Sequence, residues 1–253
     1  EAAVLAGSAW FEATFHALDP GILMQWQVSD GDELAAGQHL CRLEGPARPI
    51  LSGERTALNF LQTLSGTATR TRYYVDAVAG TGARILDTRK TLPGLRLAQK
   101  HAVRCGGGLN HRIGLFDAIL IKENHIAAAG SIQAAVSAAG QMYPGLPLEV
   151  EVESLAQLDE ACQAGVQRAL LDNFGLDELR LAVAAHGGRI ELEASGGIGL
   201  ETVRDVALTG VHFISAGDLT KSVRAIDFSI RHACSGGPAR GACRASHAAA
   251  IFL

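Results

Sequence analysis

The sequence has few of the features that would assign it to a common class of protein. No apolar run approaches the ~18–20 residues that a membrane-spanning helix needs. The five cysteines are scattered and never form a C-x-x-C pair, which argues against a zinc site and a disulfide framework. No charged and then apolar leader opens the chain. We therefore expect a cytoplasmic protein that does not contact a membrane.

Several enzyme signatures are also missing. The sequence contains no G-x-x-x-x-G-K followed by Ser or Thr, no G-x-G-x-x-G, no H-E-x-x-H and no G-x-S-x-G. These absences argue against a P-loop kinase, a dinucleotide-dependent dehydrogenase, a zinc hydrolase and a serine hydrolase.

The charge of the chain is unevenly distributed. The formal net charge of −4 disfavours nonspecific binding to nucleic acid or to anionic membranes. Between residues 84 and 112, however, seven basic residues accompany a single acid, Asp87, and no aromatic residue is present that could stack on bases. This stretch predicts either a site for a small polyanionic ligand or a solvated basic helix face.

The hydrophobic pattern predicts an α/β protein. From about residue 83, short apolar runs alternate with helical patterns, which is typical of a parallel sheet. We expect an incomplete β/α barrel of about seven strands, with a doubly wound sheet as the alternative. The expected domains are a small α+β domain at 1–57, the barrel at 58–231 and an irregular tail at 232–253. The predicted barrel strands are 84–87, 102–105, 118–121, 148–152, 169–172, 190–194 and 211–215; the first domain has strands at 23–28 and 39–43, and a helix at 56–64 leads out of it.

Polar residues cluster at the carboxyl ends of the predicted strands, where barrel enzymes place their active sites. Each group alone would more often be a surface charge or a turn, but together they favour one site. Glu149, Glu151 and Glu153 share a strand face, and in a covered strand they need a cation such as Lys122. The first three strands are followed by Thr88 and by the basic residues Arg89, Lys90, His111, Arg112 and Lys122. Acids follow the next two strands (Glu151, Asp172), and glycine-rich loops follow the last two (Ser195, Gly196, Gly197; Ala216, Gly217, Asp218).

This composition of the site indicates the class of ligand. Glycine-rich loops before helices bind phosphate through backbone N–H groups, and arginine and lysine bind carboxylate and phosphate oxygens. Glu151 and Asp172 suit ribose hydroxyls or a hydrated Mg²⁺ ion. We therefore expect a ligand with both phosphate and carboxylate groups.

Several segments resemble the quinolinate phosphoribosyltransferase family, in unbroken order over roughly residues 1–231. The similar segments are Glu54-Arg55-Thr56-Ala57-Leu58-Asn59, Thr88 to Arg96, Gly106 to Arg112, Lys122 to His125, Glu149 to Glu151, Leu171 to Phe174 and Ala194 to Ile198. Relative to the family, the first domain would be shortened at its start, and the tail has no counterpart.

The resemblance implies a reaction and a role for each residue. Quinolinate and phosphoribosyl pyrophosphate (PRPP) would give nicotinate mononucleotide, pyrophosphate and CO₂, a step in NAD biosynthesis, with Lys90, Lys122, Glu151 and Asp172 as catalytic residues. The pyridine dicarboxylate would contact Arg89, Lys90, His111, Arg112 and Lys122, with Thr88 beside them and Arg55 reaching in from the other subunit of a homodimer or larger homo-oligomer. PRPP would use Glu151 and Asp172 for its ribose and Mg²⁺, and the loops Ser195-Gly196-Gly197 and Ala216-Gly217-Asp218 for its 5-phosphate.

Three alternatives remain at this point. One is a related pyrophosphorylase-like protein of molybdate transport, which lacks the Glu-Arg-Thr-Ala-Leu-Asn segment. The second is a Schiff-base aldolase or lyase with Lys122 as the nucleophile. The third is a binding subunit without activity.

Overall fold

The fold is described from a computed structural model, which describes residues 1–234 and 246–253. The chain forms two compact units: the first comprises Glu1–Arg72, His101–Gly107 and Val223–Leu253, and the second comprises Tyr73–Lys100 and Gly108–Ser222. In the described residues the strands are β1 (Ala3–Val4), β2 (Leu23–Trp26), β3 (Glu33–Leu34), β4 (His39–Pro46), β5 (Arg84–Leu86), β6 (Ile119–Ile121), β7 (Leu148–Val152), β8 (Arg168–Asp172), β9 (Glu191–Ser195), β10 (Phe213–Ser215), β11 (Ser229–Cys234) and β12 (Ser246–Phe252). The helices are α1 (Ser8–Leu18), α2 (Ala47–Ala77), α3 (Arg96–Cys105), α4 (Glu123–Ala129), α5 (Ile132–Met142), α6 (Leu155–Gln163), α7 (Leu176–His186), α8 (Val203–Ala207) and α9 (Asp218–Lys221).

The first unit is built on an antiparallel sheet with the strand order β11-β12-β4-β2. Its core contains aromatic side chains of α1 and aliphatic side chains of β4 and α2, all withdrawn from solvent as the hydrophobic effect requires. The central members are Phe11, Phe15, Leu40, Leu43, Ile50, Leu58, Leu61, Phe228 and Ile251.

The expected irregular tail is wrong for the described residues, because β11 and β12 both belong to this sheet. Strand β12 lies between β11 and β4 and pairs antiparallel with each. Ala249 and Ile251 are buried, two residues apart, as a strand with one buried face requires. The Ala-rich sequence hid the strand, since alanine is a poor strand former and the hydrogen bonds come from distant partners. The predicted domain boundaries stay predictions.

Helix α2 is much longer than the predicted helix at 56–64. Buried Ser65, Thr67 and Thr71 interrupt its apolar pattern, which is why the sequence shows only its central part. A Cβ atom at Gly66 would lie 2.2 Å from the backbone oxygen of Arg224, so only glycine allows this close approach.

The second unit contains a parallel sheet with the strand order β5-β10-β9-β8-β7-β6. The α/β class and incomplete barrel are confirmed, but the described residues form six strands in this sheet instead of about seven. The strand predicted at 102–105 is wrong: these residues end helix α3, where Ala98 and Ala102 are buried at helical spacing. In its place, Leu109 forms an isolated parallel bridge with Leu86.

No helix within residues 1–234 and 246–253 is long and apolar enough to span a bilayer.

Candidate active site

A polar cavity of about 510 Å³ opens at the carboxyl ends of the parallel strands of the second unit. Nine of the residues predicted for the site line it: Thr88, Arg89, Lys90, His111, Arg112, Lys122, Glu151, Asp172 and Ser195. Five further residues line the cavity without having been predicted from the sequence: Arg96, Leu120, Leu170, Glu193 and Ser215.

The loop after β5 supplies the first cations. The N–H of Lys90 donates to the Thr88 hydroxyl at 3.1 Å, which turns the chain directly after the strand. The Arg96 guanidinium donates to the Arg89 carbonyl at 3.2 Å and to the Ile113 carbonyl at 3.4 Å. Arg96 therefore joins this loop to the next basic segment, a role that its place in the basic stretch did not reveal.

A buried ion pair organises the turn that carries His111. Lys100 and Asp87 are in direct contact, with side chains only 2% and 0% exposed. The Asp87 carboxylate also accepts from the Asn110 amide at 2.6 Å and from the His111 N–H at 2.9 Å. Lys100 in turn donates to the His111 carbonyl at 2.9 Å. Because charge-assisted hydrogen bonds are the strong ones, this network fixes the backbone at residues 110–111.

The ring of His111 faces protein groups on both sides. Its Nδ1 accepts from the N–H of Arg112 at 2.7 Å, and its Nε2 lies 2.9 Å from an oxygen of Glu149 and 3.6 Å from Glu193. Burial lowers the pKa of His111, but the two carboxylates outweigh it and raise this pKa above its usual value. Nε2 therefore carries a proton, while hydrogen bonding of a ligand by His111 stays a prediction.

Arg112 lies at the cavity with its guanidinium donating to the Ala118 carbonyl at 3.3 Å. Burial and then the neighbouring Arg89 lower the pKa of this guanidinium. Two cations kept this close suit an anionic ligand between them, since its charge offsets their repulsion.

The acidic side of the cavity comes from β7 and β8. Lys122, directly after β6, contacts the carboxylate of Glu151, as the sequence predicted for the glutamates of this strand. Asp172 ends β8 and accepts from the amide of Asn173 at 2.8 Å. Asn173 has the left-handed φ of 59°, and a Cβ at Gly196 (φ 102°) would lie 2.2 Å from its Oδ1. Glycine is therefore required where the loop after β9 passes Asp172.

The carboxylate oxygens of Glu151 and Asp172 are hard ligands on one cavity wall. This donor set fits a Mg²⁺ ion that keeps part of its water and takes further oxygens from a substrate phosphate.

The glycine-rich loops lie beside the cavity. The loop after β10 is close to the basic loop, because a Cβ at Gly217 would lie 3.2 Å from the Lys90 side chain. Thr220 donates to the Lys90 carbonyl at 2.8 Å, and Asp218 accepts from Tyr74 at 2.8 Å. Gly196 and Gly197, with Ser195, line a smaller neighbouring hollow of about 240 Å³. Their contact with a phosphate stays a prediction.

Arg55 belongs to the first unit. It lies on α2 with an exposed side chain. Its predicted role across a subunit boundary stays a prediction.

Comparison with known proteins gives two matches to one family. Residues 67–231 match the quinolinate phosphoribosyl transferase C-terminal domain, and residues 1–65 match the N-terminal domain of the same family.

Individual relatives agree. The nicotinate-nucleotide pyrophosphorylase (carboxylating) of Mycobacterium leprae is 48% identical over 213 residues, which cover 83% of this chain and 75% of the relative. A probable enzyme of the same name from Bacillus subtilis is 46% identical over 231 residues, covering 90% and 79%. The nicotinate-nucleotide pyrophosphorylase structure from Francisella tularensis superposes with a TM-score of 0.88 at 46% identity, covering 90% of this chain and 81% of that one.

Proposed function

This chain belongs to the quinolinate phosphoribosyltransferase family, and we propose that the cavity at the strand ends of its second unit is the active site. The enzyme transfers the phosphoribosyl group of PRPP to quinolinate, releasing pyrophosphate and CO₂ and forming nicotinate mononucleotide for NAD biosynthesis. The observation that carries the assignment of the site is the convergence of four cations, Arg89, Lys90, Arg112 and Lys122, with Glu151 and Asp172 in one cavity.

The basic side of the cavity binds quinolinate in this proposal. Arg89, Arg112 and Lys122 present donors for two carboxylates, and Lys90 stands beside them. Holding the 2-carboxylate here would set the pyridine nitrogen against the anomeric carbon of PRPP. Such positioning lowers the barrier because the reactants no longer have to find their mutual orientation.

The acidic side binds PRPP. Glu151 and Asp172 would accept from the ribose hydroxyls and hold Mg²⁺, which would supply charge stabilisation for the pyrophosphate leaving group. The loops at residues 195–197 and 216–218 would take the 5-phosphate on backbone N–H groups. Carboxylates beside the ribose ring stabilise the positive charge that develops there as pyrophosphate departs, so no covalent nucleophile is needed.

Asp172→Ala tests this division of the cavity. We expect a large loss of turnover, a raised KM for PRPP and a changed Mg²⁺ dependence, while quinolinate binding measured by calorimetry changes little. Asp177→Ala is the matched control, because Asp177 lies in the first turn of α7 with its side chain 94% exposed. Unchanged turnover in Asp172→Ala would remove Asp172 from the site.

We also propose a homodimer in which Arg55 completes the site of the partner. Two observations support it. The first is that the Arg55 side chain is exposed on α2. The second is an apolar groove of about 890 Å³ in the second unit, whose lining residues Leu115 and Phe116 are 72% and 73% exposed. Exposed apolar surface of this kind marks interaction sites.

Mixing two inactive variants tests the shared site. Arg55→Ala and Lys122→Ala should each be inactive alone, and a mixture should regain part of the activity, because a mixed dimer contains one intact site. A mixture as inactive as its components, at a concentration where sedimentation shows mixed dimers, would contradict the proposal.

No observation favours the alternative functions. Lys122 contacts Glu151 in a cavity that four other arginine and lysine side chains also line, which suits an anion site better than a Schiff-base nucleophile. The match to both domains of the family also leaves the molybdate-transport relative unsupported. A cytoplasmic location is proposed on the free thiols of Cys41, Cys105 and Cys162, which suit a reducing compartment.

A further inference from the structure

Two glutamates lie side by side beneath the cavity of the second unit. Glu149 is on β7 and Glu193 on β9, with β8 between them in the sheet. Their side chains are 8% and 0% exposed. One carboxylate oxygen of each lies within 4.8 Å of the other and of a ring nitrogen of His111. The family reaction assigns no role to Glu193, although its side chain also lines the cavity.

Two cations near this pair are engaged elsewhere, and a third, Arg112, interacts electrostatically with Glu149. From β8, Arg168 binds Glu191 at 2.6 Å and lies over the Phe213 ring at 4.1 Å. From α3, Lys100 is paired with Asp87.

The remaining polar neighbours leave the acids poorly satisfied. His111 faces them from the turn before β6, and Ser215 faces them from β10. Among the described residues, hydrogen-bond geometry gives no partner to either oxygen of Glu193, to Oε1 of Glu149 or to Nε2 of His111, whose 2.9 Å approach to Glu149 is an ion contact. The Ser215 hydroxyl lies near enough to Glu193 to offset part of the rise in its pKa.

Elementary electrostatics decides how such a pair is charged. Two ionised carboxylates this close and this deeply buried repel each other strongly, so one of them keeps its proton. Nε2 of His111 lies 2.9 Å from Glu149 but 3.6 Å from Glu193, so the negative charge is better placed on Glu149. Glu193 is then the neutral partner.

We propose that Glu193 is a positioning residue of the active site. As a neutral carboxylic acid it offers a hydrogen-bond donor to Glu149 and adds no second negative charge, and it thereby fixes His111 and Arg112. A carboxylate oxygen of Glu193 lies within 4.8 Å of one of Glu149 and 3.6 Å from Nε2 of His111. Glu149 lies 2.9 Å from the same nitrogen, and Nδ1 of His111 accepts from the N–H of Arg112. Arg112 lines the cavity and, in the proposed function on which this inference rests, is one of the residues that bind quinolinate.

The ionisation behaviour of Glu193 supports this assignment. Burial, and next the negative charge of Glu149, raise the pKa of Glu193 to about 8. The carboxyl group therefore keeps its proton at neutral pH and loses it just above. Once it is ionised, two buried negative charges compete for one histidine, and the His111–Arg112 turn loses its support.

A direct test is the infrared spectrum of the whole protein at neutral pH. The account predicts the C=O stretch of a buried protonated carboxylic acid, absent from Glu193→Gln and lost as the pH is raised through about 8. In Glu149→Gln the band should be lost at a lower pH, because the negative charge of Glu149 no longer raises the pKa of Glu193. A band that persists to higher pH would mean that Glu149 stabilises the ionised form of Glu193. A spectrum that Glu193→Gln leaves unchanged would overturn the proposal.

The second test is the pH profile of kcat/KM for quinolinate. In the wild type it should fall above pH about 8, and in Glu193→Gln this fall should be missing because an amide cannot ionise. Glu193→Leu, which offers no donor, should show a KM for quinolinate about tenfold above that of Glu193→Gln, with a smaller change in kcat. Glu160→Gln, an exposed acid on α6, should keep the wild-type profile.

Two outcomes would contradict the positioning role: an alkaline fall that persists in Glu193→Gln, or equal KM values in Glu193→Gln and Glu193→Leu. Wild-type release of CO₂ from quinolinate is measured in the same series, so a failure of the family reaction would be recognised separately.

Discussion

Two buried pairs of ionisable side chains lie in the second unit, and they solve the problem of burial in opposite ways. Lys100 and Asp87 are of opposite charge, touch directly and are surrounded by hydrogen-bond partners. Glu149 and Glu193 are of the same type, and their described neighbours leave three of their four oxygens without a hydrogen bond. The first arrangement holds the backbone at residues 110–111 through opposite charges, whereas the second makes the site depend on a proton.

Breaking the satisfied pair should have the largest effect. Lys100→Met leaves the Asp87 carboxylate buried without its cation, and such an uncompensated charge costs about 3–5 kcal/mol of the free energy of unfolding. Urea unfolding measures this loss. Activity should fall as well, because the 110–112 turn loses a donor to the His111 carbonyl.

Two variants sharpen that result. Adding Asp87→Asn to Lys100→Met removes the buried charge and should restore a large part of the stability while activity stays low. Arg180→Met removes an exposed pair with Asp177 and should change stability little. Equal losses of the free energy of unfolding in Lys100→Met and Arg180→Met would show that the buried network does not stabilise the fold.

The unsatisfied pair should instead reveal itself through pH. The pKa of Glu193 is raised in the folded protein to about 8, so between about pH 5 and pH 8 the native state holds a proton that the unfolded chain has released. The free energy of unfolding should therefore fall as the pH rises through this window. Glu193→Gln lacks this dependence and should gain stability relative to the wild type toward pH 8. Parallel curves for the two proteins would show that Glu193 ionises normally.

Arg112→Ala should give the smallest effect, since this side chain lines the cavity and belongs to neither pair. Removing it should weaken quinolinate binding by about 1.5–3 kcal/mol, the usual contribution of a hydrogen bond to a charged group. Stability should change little, because within the described residues the Arg112 guanidinium makes one long hydrogen bond, to the Ala118 carbonyl at 3.3 Å. Calorimetry with quinolinate alone measures the first quantity. A loss of stability as large as that of Lys100→Met would place Arg112 in the structural network.

The sequence predicted the cavity better than it predicted its support. Cations and acids at strand ends could be assigned to one site because parallel strands bring their carboxyl ends to one edge. Lys122 and Glu151, which follow or lie on neighbouring strands, are in direct contact, as expected of side chains at one edge. Lys100 and Glu193 were not assigned, because a basic residue in a helix and an acid in an apolar strand are ordinary patterns until burial is known.

The errors in the fold have similar causes. The strand predicted at 102–105 is wrong because a short apolar run fits a buried strand and a buried helix segment equally well, and periodicity alone cannot distinguish them. Strand β12 could not be predicted because alanine has a low strand propensity. Its pairing with β4, which is distant in the sequence, and with β11 becomes visible only in the folded sheet.

The most direct test of the whole account is CO₂ release by the purified protein with PRPP and Mg²⁺, using quinolinate and nicotinate as parallel substrates. The account predicts one CO₂ for each pyrophosphate with quinolinate, no pyrophosphate release with nicotinate, and loss of both products in Asp172→Ala. Equal use of nicotinate, or full CO₂ release in Asp172→Ala, would contradict the assignment of this cavity as the active site.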